Sequence, residues 1–223
     1  MPTAGGCSGV IGIVLAAGAG RRLGQPKAEI MVAGERLVDR AVRTLRAGGC
    51  AEVLAVVRSA ELVVPGARTV VNPDPDAGMG SSLRCGLDAA PSGAAAGPGG
   101  ADVPEGAGGP DAPFDAALPD ACLITLVDLY DVEAAEVASV LDAFRAGAGI
   151  VAVRRAGQRS HPVLVSRRWY AALAASAVGD QGGRSFFADR VADTVFVDVP
   201  DSISDIDTPQ DLRQARRRAA QRG

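Results

Sequence analysis

The chain has 223 residues, 48% of them hydrophobic and 22% charged, with a formal net charge of −3. That length suits one α/β domain around one core, and the composition excludes the disordered, fibrous and disulfide-scaffold classes. A mildly acidic balance exerts no global pull on nucleic acid or anionic lipid, so any anion site has to be local. Cys7, Cys50, Cys85 and Cys122 are scattered with no CxxC or Cys/His spacing, which argues against zinc and for reduced thiols. The apolar run Val10 to Ala17 is too short for a bilayer span and precedes Arg21 and Arg22, the wrong polarity for a signal peptide. Neither a membrane nor a nucleic-acid partner is expected, and the expected address is the cytoplasm.

In chain order, Val10 to Ala17 predicts a strand buried on both faces that feeds the turn Gly18-Ala-Gly20. Glu35 to Ala47 sets Leu37, Val38, Ala41, Val42 and Leu45 at helical spacing, and Gly48-Gly49 ends that helix. Val53 to Val57 and Thr69 to Val71 read as short strands. Met79 to Ala90 reads as a helix with Leu83 and Leu87 on one face and serines at its start. From Pro91 to Pro119 the sequence is Gly, Ala, Pro and Asp with few large apolar residues. It buries too little to offset its ordering entropy, which predicts a disordered surface insertion.

Ala121 to Val127 is the next expected strand, ending at Asp128, followed by a helix over Val132 to Phe144 and a strand over Gly149 to Val153. Pro162 to Val165 and Thr194 to Val199 add two strands. Thr208 to Ala220 is the closing helix, opened by Asp207, Thr208 and Pro209. Alternating strands and helices predict a three-layer α/β/α sandwich on a Rossmann-like, mostly parallel sheet, with 1–223 forming one domain. Ligands of such sheets sit beyond the carboxyl ends of the strands, where Gly18, Asn72 and Asp128 all fall.

The segment Leu15-Ala-Ala-Gly-Ala-Gly-Arg-Arg-Leu-Gly-Gln-Pro-Lys27 carries the clearest chemistry. Its small residues, Ala16 to Gly18 and Gly20, let the backbone approach a ligand. N–H groups of the Gly18 to Gly20 turn can face phosphate oxygens, and Arg22 and Lys27 can neutralise charge that builds up in a transferred phosphoryl group. The spacing is neither GxxxxGK[ST] nor GxGxxG, so a P-loop ATPase and a dinucleotide oxidoreductase are both disfavoured. Ser81 and Ser82, just after a glycine pair, offer hydroxyls to a ribose or base, or else cap the helix they open.

Six ordered segments resemble one family. Beside LAAGAGRRLGQPK stand Asn72-Pro73 with Gly78-Met-Gly-Ser-Ser-Leu83, Leu126-Val-Asp128, Gly157-Gln-Arg-Ser-His161-Pro162-Val163, Gly179-Asp-Gln-Gly-Gly-Arg184 and Asp205-Ile-Asp-Thr-Pro-Gln-Asp-Leu212. Together they are similar to the signatures of MobA-like nucleotidyltransferases, including the molybdenum cofactor cytidylyltransferases. The resemblance spans residues 10–212 apart from the insertion. It implies a nucleotide site of Leu15, Ala16, Ala17, Gly18, Gly20, Lys27, Asn72, Ser81 and Ser82, with Lys27 and Arg22 as the catalytic cations. It also implies Mg²⁺ held by Asp128, a metal suited to one or two carboxylates plus phosphate oxygens and waters. Asp205 and Asp207 are candidates for a second carboxylate, or caps of the last helix. His161, Asp180 and Arg184 fall on the acceptor side, where Arg184 can grip a phosphate or pterin carbonyl and Asp180 and Arg184 can alternatively form a surface ion pair.

The resemblance implies an enzyme that moves CMP from CTP to molybdopterin, releases pyrophosphate and hands its product to a molybdoenzyme or insertion partner. CTP is favoured because Ala16-Ala17-Gly18 resembles the cytidylyltransferase form. The alternatives are transfer to another phosphate, such as a sugar phosphate, methylerythritol phosphate or phospho-acid, and a non-catalytic accessory role. The chain departs from the family pattern at Leu129-Tyr130, where relatives often carry proline two residues after the metal aspartate.

Overall fold

The computed structural model describes residues 9–90, 119–201 and 205–222. The insertion expected at 91–119 lies, apart from Pro119, outside the described residues, and so does Cys7. In chain order the main elements are β1 (Val10–Leu15), β2 (Met31–Val32), β3 (Glu35–Arg36), α1 (Leu37–Ala47), β4 (Glu52–Val57), β5 (Arg68–Val71) and α2 (Met79–Ala89). There follow β6 (Ala121–Leu126), α3 (Ala134–Arg145), β7 (Ile150–Arg155), β8 (Gln158–Ser166), α4 (Tyr170–Ser176), α5 (Arg184–Ala188), β9 (Thr194–Asp198) and α6 (Pro209–Arg222).

Seven strands form one sheet in the order β5-β4-β1-β6-β8-β7-β9, and β2 and β3 form a separate small hairpin. β1 pairs in parallel with β4 and β6, β4 with β5, and β7 with β9, whereas β8 runs antiparallel to both of its neighbours. The fold is therefore α/β with a mostly parallel sheet. Alternation along the strands divides the core. Val10 and Val14 of β1, Val53, Ala55 and Val57 of β4 and Leu123 of β6 face α1, α3 and α6. Ile11, Ile13, Leu54, Val56 and Ile124 face α2, α4 and α5. Strands buried on both faces read as continuous apolar runs, which is why β1, β4 and β6 were visible as such.

Two short helices have no counterpart in the sequence expectations. The α4 segment is alanine-rich and gives a weak amphipathic signal, and α5 is five residues long, shorter than any window over which helical periodicity is measurable. The strand expected at Pro162 starts at Gln158, because residues 158–160 pair with the end of β7 across a register shift.

The Glu136 to Arg155 ion pair joins α3 to β7 in the interior, with side chains only 10% and 8% exposed. Burial pushes the Glu136 carboxyl above its ordinary range, against the opposing hydrogen bond and charge of Arg155. Arg155 also donates to the Pro200 carbonyl at 2.6 Å, yet its Nε has no partner. Desolvation opposes the attraction of the pair, and the penalty falls hardest when one partner is removed alone. Glu136→Ala should lower unfolding stability by about 3–5 kcal/mol in urea titrations, while the double change Glu136→Leu with Arg155→Leu stays within about 1.5 kcal/mol of the wild type. A single mutant as stable as the wild type would contradict this.

Candidate functional site

Beyond Leu15 the chain closes a tight loop. Gly20 sits at φ +58°, and a Cβ there would lie 2.0 Å from the Gln25 carbonyl oxygen, so a larger residue is excluded on both counts. Leu23 N donates to Gly20 O at 2.8 Å and Lys27 N to Gly18 O at 3.1 Å, which returns Lys27 to the end of β1. There the Lys27 ammonium donates to Asp128 Oδ2 at 2.5 Å and to Asp207 Oδ1. Burial opposes its charge, but the attraction and hydrogen bond of Asp128, followed by those of Asp207, hold the ammonium above its ordinary pKa. Lys27 is a firmly protonated cation.

Asp207 reaches this point because residues 205–206 lie along the turn after β6. Leu129 and Asp205 form an antiparallel bridge, Ile206 N donates to Asp128 O at 3.2 Å, and the Ile206 side chain is fully buried. The start of α6 is capped by its own residues: Asp211 Oδ2 accepts from Thr208 N at 2.8 Å, and Asp211 N donates to Thr208 Oγ1 at 3.3 Å. The Asp207 carboxylate is thereby left for Lys27. The Asp205 carboxyl is raised by partial burial, then by the charges of Asp128 and Asp207.

Asp128 Oδ1 is buried with no hydrogen-bond partner. A buried anionic oxygen without a donor is costly unless a cation or donor completes it. Among the described residues no three His, Cys, Asp or Glu side chains converge as a ready-made metal cage. The site suits a cation that draws most of its ligands from substrate and water.

Two clefts meet here and share Leu15, Met79 and Leu126 in their walls. The first, of about 350 Å³, is lined by Ala17, Gly18, Gly20, Lys27, Ser82 and Asp128. Arg21, Arg58 and Asp76 close one side of it, with Asp76 pairing to Arg21 at 3.3 Å and to Arg58 at 3.0 Å. Ala16 is buried behind the loop, its N–H donating to Val56 O at 2.8 Å. Asn72 is likewise buried, donating through Nδ2 to Ser81 Oγ at 2.9 Å and Ser82 Oγ at 3.0 Å. Asn72 and Ser81 pin α2 to the end of β5, and Ser82 is the serine that faces the cleft. Arg22 is exposed and outside the lining. Asp180 lines this first cleft rather than the second, because the 177–182 turn packs on the start of α2: a Cβ at Gly78, φ +95°, would lie 2.5 Å from the Gly179 backbone.

The second cleft, of about 240 Å³, is lined by Arg159, His161, Arg184, Phe187 and Asp205. His161 Nδ1 lies 3.2 Å from Ile124 O, and since a carbonyl only accepts, Nδ1 carries the proton. Burial pushes the imidazole down to about 4, assisted by the charge of Arg159. His161 is neutral and a weak base at physiological pH.

The family model described as MobA-like NTP transferase domain matches residues 12–195. The chain belongs to this family. Nicotine blue oxidoreductase of Paenarthrobacter nicotinovorans is 31% identical over 218 residues, covering 91% of this chain and 94% of that protein. A probable molybdenum cofactor guanylyltransferase of Opitutus terrae is 48% identical over 54 residues, 24% of this chain and 26% of that protein. Among solved structures, Rv0371c of Mycobacterium tuberculosis H37Rv superposes with a TM-score of 0.70 at 21% identity, covering 95% of this chain and 99% of that one. Molybdopterin-guanine dinucleotide biosynthesis protein A of Archaeoglobus fulgidus gives 0.61 at 14% identity, covering 95% and 100%. At those identities the two structures establish the fold. The chain is thus a nucleotidyltransferase of the MobA-like family, with no helix among the described residues long and apolar enough to cross a membrane.

Arg58, Asp76 and Arg159 were not singled out from the sequence. The available signal was positional: Arg58 follows the last residue of β4, and Arg159 lies inside the Gly157 to Val163 segment. The Leu129-Tyr130 departure from the family pattern is absorbed by packing. Tyr130 is buried beneath the Arg40 guanidinium at 4.3 Å from its centroid, and its carbonyl accepts from Arg40 Nε at 2.8 Å.

His161 is the chain's single histidine, so its titration is directly readable. With a folded pKa near 4 against about 6.5 unfolded, the unfolded chain binds the extra proton between those values, and stability falls as pH drops from about 6.5 to about 4. In tag-free protein, the imidazole resonances should remain those of the neutral Nδ1–H tautomer at pH 6. A midpoint near 6.5 would contradict the burial assigned to this ring.

Proposed function

We propose that the chain transfers the nucleoside monophosphate of an NTP, with CTP preferred, to a phosphorylated acceptor of the molybdopterin class. The observation that carries this reading is the Lys27, Asp128 and Asp207 cluster at the junction of two clefts, one walled by a glycine loop and cations, the other by two arginines. The triphosphate lies along the Gly18 to Gly20 loop with its α-phosphate near Lys27. The acceptor phosphate enters from the second cleft. Its oxygen forms a bond to the α-phosphorus as the bond to the β-phosphate bridging oxygen breaks, and the electron pair leaves on pyrophosphate.

Lys27 neutralises charge that grows on the α-phosphate oxygens, and Arg21 with Arg58 holds the outgoing end once phosphate competes for them with Asp76. Arg22 is exposed and outside the cleft lining, so on this reading it contributes from the rim rather than at the reacting phosphate. Magnesium fits the partnerless Asp128 oxygen, with Asp205 and Asp207 as neighbouring carboxylates, and when bound would offset negative charge on the phosphates. No covalent enzyme intermediate is required.

The local match to a guanylyltransferase and the Ala16-Ala17-Gly18 sequence favour a cofactor-type acceptor while pointing to different bases. The relative matched along nearly its full length is named an oxidoreductase, which supports a second reading in which these clefts serve a redox reaction. The glycine spacing, which does not fit the dinucleotide-binding pattern, places that reading second.

Pyrophosphate release measured with each of the four NTPs and with molybdopterin, sugar phosphate and methylerythritol phosphate acceptors tests the proposal. Reductant-dependent bleaching of nicotine blue tests its rival. CTP with molybdopterin should give the highest rate. Bleaching without pyrophosphate release from any pair would overturn the transfer reading. Asp128→Asn keeps the side chain's size and removes its charge, so it should fold normally and lose about 10²-fold or more of magnesium-dependent turnover. Near wild-type turnover with unchanged magnesium dependence would defeat the metal assignment.

A further inference from the structure

We propose that Arg159 and Arg184 form a guanidinium clamp that selects acceptors bearing a doubly charged phosphate, and that Arg159 is its specificity-determining half. The proposal rests on the reading of the second cleft as the acceptor-phosphate site and goes beyond it by naming Arg159 as the residue that selects for the dianion. Arg159 stands at the start of β8, half-buried, with its guanidinium over the Phe187 ring at 4.6 Å from the centroid. Phe187 is itself only 4% exposed and lies on α5, three residues after Arg184. One short helix thus supplies both the platform under the first guanidinium and the second cation.

Among the described residues, neither arginine has a carboxylate within ion-pair distance, even though Asp205 lines the same cleft. Arg36, Arg43, Arg68, Arg154 and Arg155 all have one. Burial, then the charge of Arg184, pulls Arg159 below its ordinary pKa, so the two cations feel each other. His161 adjoins them without adding charge. A pair of neighbouring cations, one stripped of part of its water and neither neutralised by the protein, is unfavourable until an anion bridges them. A phosphate dianion matches both the charge and the forked donor geometry of guanidinium groups, and its attached ring can lie on the apolar wall formed by Leu83, Leu129 and Val163. Sequence pattern alone did not mark Arg159, which stands at an unspecified position of the GxxxHPV segment.

The test is binding, read apart from turnover. Inorganic phosphate is titrated at pH 8 into full-length protein presaturated with a non-hydrolysable CTP analogue, following the Arg159 Nε–Hε and Phe187 ring resonances. Wild type should show saturable shifts, and acetate, a single charge, should bind about tenfold more weakly. Arg159→Gln and Arg184→Gln should each weaken phosphate by about tenfold or more, Arg159→Lys should recover part of the loss, and affinity for the CTP analogue should stay within about twofold. Thermal melts establish that each variant is folded. Unchanged phosphate affinity in folded Arg159→Gln, equal affinity for acetate and phosphate, or phosphate shifts confined to residues of the first cleft would each overturn the clamp. A clamp that passes while no NTP yields pyrophosphate leaves the anion site standing and removes the transfer reading, so the two failures are distinguishable.

Discussion

Lys27 bridging Asp128 and Asp207 joins three segments separated by 101 and 180 residues, and the rest of the site is arranged around that contact. It needs a loop tight enough to bring Lys27 back to the end of β1, which only glycine at position 20 permits. It needs Asp128 at the end of the strand next to β1, and it needs residues 205–207 laid back along the turn after β6. Each of these features would be costly alone, because a half-buried ammonium or carboxylate loses water without gaining a partner. Assembled, they satisfy each other, except at Asp128 Oδ1, which is buried without a donor.

The sheet topology explains why two clefts meet at this contact. The parallel strands β1, β4, β5 and β6 all end at one edge and supply the glycine loop, Arg58, Asn72 and Asp128. β8 runs antiparallel to β6, with Ile124 opposite Val163 and Cys122 opposite Val165. Its first residues, including Arg159 and His161, therefore lie at the same edge where β6 finishes. Reversing one strand brings a second set of cleft-lining side chains to the edge where parallel sheets commonly bind ligands. The short helix α5 beyond it adds Arg184 and Phe187.

The parallel half of this arrangement was legible in the sequence. β1, β4 and β6 are buried on both faces and announce themselves as apolar runs, and the glycine loop with Lys27 carries its chemistry in composition alone. Asp128, Lys27 and Ser82, each marked by a sequence motif, line the first cleft, and His161 and Arg184 line the second. What was not legible depends on tertiary geometry. Nothing local distinguishes Arg21 from Arg22, and both are exposed, yet only Arg21 lines the cleft, held there by Asp76. Asn72 and Ser81 have the right polarity for nucleotide contacts but spend it on each other. Asp180 sits in an acceptor-type loop and reaches the first cleft, because the turn that carries it is folded onto α2. Asp207 was indistinguishable from a helix cap until Thr208 and Asp211 were seen to fill that role.

On the proposed reading, Lys27 acts on charge that develops during transfer rather than as a ground-state anchor. Comparing Lys27→Ala with wild type by single-turnover kinetics and equilibrium NTP binding tests this most directly. The rate of the chemical step should fall roughly 10²- to 10³-fold, with NTP affinity changed by less than about tenfold. An unchanged chemical step accompanied by a large loss of NTP affinity would contradict it.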